Sequence, residues 1–108
     1  MDVTPFERPL SEEAAREARE QILSLVLDLI KQVSETEEGY LFDFGRNDEA
    51  TWLACQLIEV ERKVNPFLRM HLVSESHNGP VKLEIVGPSG TKSFLHSEFG
   101  LSRWFSPS

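Results

Sequence analysis

Glu61, Arg62, Arg69 and His71 are the residue types from which a small polar site can be built. A carboxylate and a guanidinium end one helical stretch, and Pro66 separates them from an arginine and a histidine on the strand that follows. If the chain folds back at the Pro66 corner, the four can meet in a cleft and hold a small polar or anionic ligand. His71 titrates near neutrality in its ordinary state, which suits a general acid or base. No nucleophile accompanies it, however, and no complete catalytic constellation is present, so no catalytic residue is assigned. The competing account of this segment is a solvated helix end, in which Glu59 and Lys63 are spaced for an i,i+4 pair.

Other chemistries are poorly supplied. His71, His77 and His96 fall on a strand, a loop and a short helix, with no ligand spacing of the HExxH kind. The single Cys55 excludes an intramolecular disulfide and a zinc site of several thiolates. Lying between Ala54 and Gln56 within a helix, it is expected to be a buried, inert thiol. Gly87-Pro88-Ser89-Gly90 comes nearest to a phosphate loop, but no Lys-Ser or Lys-Thr pair follows, and it reads as a turn and helix start. Neither a metal nor a cofactor is expected.

Charge narrows the partners. With 18 Asp plus Glu against 11 Lys plus Arg, the chain carries a formal charge of -7, which opposes binding to nucleic acid and a polybasic membrane anchor. Tyr40, Phe42 and Phe44 alternate as a stacking platform would, yet Glu37, Glu38 and Asp43 surround them, so they read as core. No run approaches the roughly 20 apolar residues of a membrane span. Met1-Asp2-Val3-Thr4 lacks the features of a signal peptide, which leads to the expectation of a cytoplasmic protein.

The elements that must position these residues follow from periodicity. A length of 108 residues implies one domain over 1–108, with an irregular lead-in over 1–10 and an apolar tail over 101–108. Between Ser11 and about Val33 neither Pro nor Gly occurs, and Ala15, Ala18, Ile22, Leu25, Leu29 and Val33 recur at helical spacing. Ser34 to Glu38 then reads as an acidic loop and Gly39 to Gly45 as a strand. A second helix, capped by Asn47 or Asp48, runs to about Val64 with Leu53, Leu57 and Val60 on one stripe. Strands Phe67–Ser76 and Val81–Val86 follow, with Met70, Leu72, Leu83 and Ile85 on one face and Arg69, His71, Lys82 and Glu84 on the other. Asn78-Gly79 cannot close a tight hairpin because Pro80 has no N–H to donate, so a wider loop is expected with Ser76 near Val81. A short helix around Phe94 and Leu95 completes the order α-β-α-β-β-α. The expected fold class is α+β, a two-layer α/β sandwich with a three-stranded mixed sheet and helices on one face.

That architecture leaves apolar surface over. Leu23, Val26, Leu27 and Ile30 extend beyond the stripe one sheet can bury, and a small sheet has open edges. A homodimer that uses the first helix or a sheet edge answers both, and the competing cover is the chain's own Leu101, Trp104 and Phe105. The leading functional expectation is therefore a non-enzymatic domain acting by homo-oligomerisation or by binding a protein partner. The alternative is a small-ligand binder or degenerate enzyme built on the four polar residues.

Glu61-Arg62-Lys63-Val64-Asn65-Pro66-Phe67, the stretch Gly79-Pro80 to Gly87-Pro88-Ser89-Gly90, and the Phe94-Leu95 pair together resemble a family of uncharacterised small bacterial α/β proteins. Its pattern is Glu-Arg-x-Cys-Cys-Pro-Phe, then a Gly-Pro-led strand, Gly-Pro-x-Gly and a Phe-Leu helix. The resemblance implies thiol or soft-metal chemistry in members with paired cysteines. Here Val64 and Asn65 occupy those positions, so Glu61, Arg62, Pro66 and Phe67 carry over and the thiol pair does not. What the resemblance leaves is a scaffold that ends a helix at Pro66 and sends Phe67 into the core.

Overall fold

The computed structural model describes residues 10–105, so the lead-in expected over 1–10 lies, apart from Leu10, outside the described residues. Ser11 caps the first helix, α1 (Glu12–Leu29), by accepting the Ala14 N–H at 3.1 Å. The helix stops four residues short of Val33: Ile30 is extended, and the Lys31 N–H donates to the Asp43 oxygen at 2.8 Å, which begins a ladder.

The expected fold class is corrected at this point. Gln32–Glu35, read as the end of a helix and an acidic loop, forms strand β1, antiparallel to β2 (Gly39–Gly45). Only Val33 of its four residues is buried, because an edge strand needs a single inward apolar residue and leaves its polar neighbours in water. After α2 (Asp48–Val64) come β3 (Arg69–Ser74), β4 (Val81–Val86), α3 (Thr91–Glu98) and the 3₁₀ turn η1 (Leu101–Arg103). The element order is thus α-β-β-α-β-β-α, and the sheet has four strands in the order β1-β2-β4-β3 rather than three. Nor is the sheet mixed, since every neighbouring pair is antiparallel. Strands β2 and β3 run parallel to each other, but β4 separates them.

Alternation sorts the sheet into two faces as the sequence indicates. Val33, Tyr40, Phe42, Phe44, Val81, Leu83 and Ile85 are buried on the inner one, joined by half-buried Met70 and Leu72. Over this face lie Leu53, Leu57 and Val60 of α2, Ile22, Leu23 and Val26 of α1, and Leu95, Phe99 and Leu101 near the chain end. Each such large aliphatic side chain contributes roughly 1.5–3 kcal/mol on burial. The Phe42 and Phe99 rings stack at 5.4 Å, and Tyr40 meets Phe105 at 5.7 Å.

As far as Phe105 the apolar tail therefore packs back on its own domain, and 106–108 lie outside the described residues. Arg103 Nη2 donates to the Leu27 oxygen at 3.0 Å, at the end of a helix whose last turn holds no basic residue of its own. Leu27, Leu29 and Ile30 are half covered and only Leu25, at 44%, stays exposed, so most of the α1 surface available to a second copy is taken within the chain.

The β3–β4 connection has no tight Asn78-Gly79 turn. His77 and Asn78, both at positive φ, form the bend, and the Gly79 N–H donates to the oxygens of Glu75 and Ser76. The Glu75 N–H donates to the Pro80 oxygen, and Ser74, not Ser76, stands opposite Val81. This shift by two residues preserves the two faces, because the side-chain period is two.

Candidate functional site

The four polar residues singled out above are distributed over both sides of the sheet. Glu61 points into the helical layer with only 1% of its surface exposed. Arg19 of α1 grips it with two bonds, Nε to Oε1 at 2.6 Å and Nη2 to Oε2 at 3.2 Å, and Asn65 Nδ2 donates to Oε1 at 3.0 Å. Arg62, one residue on, is exposed at the surface of α2. Arg69 and His71 lie on the outer face of the sheet, opposite the helices, where His71 Nδ1 and Glu84 Oε1 are 3.0 Å apart. The structure brings His71 beside Glu84 and Arg69, but not beside Glu61 or Arg62.

Arg19 is the residue that periodicity could have found. It stands on the Ala15–Ile22–Val26 stripe of α1, where a charge is tolerated only if paired. Its Nη1 also donates to Glu98 Oε1 at 2.9 Å, so one guanidinium joins α1, α2 and α3. Burial alone would lower its pKa. The hydrogen bonds and charges of Glu61, and then of Glu98, outweigh that and raise it above the ordinary value. A bidentate pair in this position fixes the docking of helices, and both carboxylate oxygens of Glu61 are already committed.

A concave region lies between the β1–β2 turn and the start of α3. This cleft of about 290 Å³ is lined by Glu37, Glu38 and the segment from Gly87 to Ser93. The backbone draws close at its base: the Gly87 N–H donates to the Glu38 oxygen at 3.2 Å, and a Cβ on Gly87 would stand 2.4 Å from Thr91 Oγ1. Thr91 Oγ1 is buried without a hydrogen-bond partner, shielded by that glycine. Glu37 and Glu38 on the opposite wall oppose the capture of an anion at the α3 N-terminus.

Two further expectations are corrected. Cys55 is exposed, because it lies about 200° around α2 from Leu53 and so on the side away from the core. Phe67 is 43% exposed and meets Phe94 edge to face at 5.1 Å instead of entering the core. Among the described residues no group of three or more His, Cys, Asp or Glu side chains can hold a metal ion, and no helix is long and apolar enough to cross a membrane.

No protein-family model matches the chain, and neither a curated protein nor a solved structure matches it.

Proposed function

We propose that this domain works by association, as a homo-oligomer or through a protein partner, and not by catalysis. The observation that supports this reading is the one-sided cover of the sheet. Its helices bury the inner face, while the outer face presents Leu41, Val73 and Val86 among Asp43, His71, Lys82 and Glu84, and among the described residues β3 ends the sheet as an open edge. Protein interfaces can be built on mixed apolar and polar surface of this kind. The polar groups best placed for chemistry point the same way, since Glu61 is spent on Arg19 and Asn65. The resemblance at Glu61, Arg62, Pro66 and Phe67 belongs to this reading as a shared scaffold, and its setting is a bacterial cytoplasm.

Light scattering tests it. The expected mass at tens of micromolar is twice the 12.3 kDa of one chain, falling towards one chain on dilution. A mass of one chain, unchanged over a tenfold rise in concentration, removes the homo-oligomer and leaves only a partner of another kind.

A further inference from the structure

We infer that β3 is the self-association edge, and that two copies join antiparallel along it about a two-fold axis through Leu72, so that Arg69 of each chain stands opposite Glu75 of the other. The inference rests on the association reading and names its partner, a second copy of this chain.

The hydrogen-bonding sense of β3 comes from its last rung. The Glu75 N–H donates to the Pro80 oxygen in the same register that sets Ser74 opposite Val81. In an antiparallel ladder, residues that exchange hydrogen bonds alternate with residues that do not. Val73, His71 and Arg69 therefore bond inward to β4, and the N–H and C=O groups of Met70, Leu72 and Ser74 point out of the sheet. These outward groups are what a further strand must meet.

Natural edges are usually blunted by brevity, proline, a bulge or an inward charge. The β1 edge is short, with four residues, and its Glu35 is bound by Lys92 at 2.8 Å. The β3 edge has none of these devices. It has six residues in unbroken register with β4, no proline, and the apolar Met70 and Leu72 on its inner side. Val73 on its outer side is 41% exposed.

Charge then selects both partner and register. Arg69 and Glu75 share the outer face, lie equally far from Leu72, and among the described residues take part in no ion pair. A second β3 placed antiparallel with Leu72 on the axis puts Arg69 against Glu75 at both ends and His71 against Val73 between them. The same register sets Met70 opposite Ser74 and Leu72 opposite Leu72, so all the outward groups pair at once, in about six main-chain hydrogen bonds. Moving the axis to His71 or Val73 keeps the backbone sense but loses both ion pairs. The strand is self-complementary in one register only.

Charge exchange tests this. Arg69→Glu and Glu75→Arg should each raise the dimer dissociation constant about tenfold or more, because each puts like charges together at both ends of the seam. The double variant should return to within a few-fold of the natural chain. An equimolar mixture of the two single variants should form a mixed dimer, in which each pair is again opposite in sign. Ser74→Pro supplies a variant free of charge effects: its lost N–H points outward, so the fold should persist by circular dichroism while the dimer is lost. A dimer indifferent to all four variants overturns the β3 seam and leaves the association reading intact. Single variants that weaken the dimer without rescue in the double overturn the register, and a natural chain that is monomeric throughout overturns the seam and the homo-oligomer together, leaving only a partner of another kind.

Discussion

The carboxylate of Glu61 and the guanidinium of Arg19, 42 residues apart in the chain, form a two-bond pair across the seam between α1 and α2. Glu61 is the more deeply buried member, so losing Arg19 strands a charge where water cannot reach it.

Arg19→Ala should therefore destabilise the domain by about 3–5 kcal/mol, whereas replacing both Arg19 and Glu61 by Leu should recover much of the loss. Urea denaturation followed by circular dichroism measures both. A loss below about 1 kcal/mol for the single variant would show that the pair is solvated in solution.

Tyr40 is the only tyrosine of the chain, so its phenolate absorbance can be followed alone. Burial raises its pKa above the ordinary value, the nearby Glu35 adds to this, and Lys92 partly opposes it. Because the folded pKa exceeds the unfolded one, the protonated phenol favours the fold. That contribution is complete below about pH 10 and is lost as pH rises through the folded pKa. The ultraviolet titration midpoint should lie above about 10 in native protein and fall back to about 10 in denaturant.

Gly39 opens β2 where a Cβ would stand 1.9 Å from the Ile85 oxygen, a backbone atom of the neighbouring strand. Gly39→Ala should force β2 and β4 apart and cost about 3 kcal/mol or more. Gly90→Ala meets open space and strains only a positive φ, at a cost of about 1–2 kcal/mol. Thermal unfolding of the two variants should rank them in that order.

Cys55, exposed on α2, should react with a maleimide in the native protein without prior unfolding. Cys55→Ala should change stability by no more than about 0.5 kcal/mol, as at other surface positions. Labelling as slow as global unfolding would place the thiol inside.

The helices could be read because each repeats its apolar residues with the helical period: Ala15, Ile22 and Val26 in one, Leu53, Leu57 and Val60 in the other. Strand β1 could not, because one inward Val33 among Gln32, Ser34 and Glu35 is too little to mark a period of two, and its pairing partner Phe42 supplies the burial. Without β1 the sheet counts three strands in place of four. The exposure of Cys55 is legible in the sequence, since its angular offset from the Leu53–Leu57 stripe places it away from the core. The dispersal of Glu61, Arg62, Arg69 and His71 was a different matter. Alternation already set Arg69 and His71 on the sheet face away from the helices, whereas the burial of Glu61 was not legible because its partner, Arg19, belongs to another helix.

The bond from Arg103 to the Leu27 oxygen joins positions 76 residues apart. A ribosome releases α1 long before it releases η1, so during synthesis the Leu27 carbonyl in the last turn of α1 waits for 76 further residues before Arg103 can donate to it. The order of translation thus leaves the end of α1 without this cap until η1 has been made.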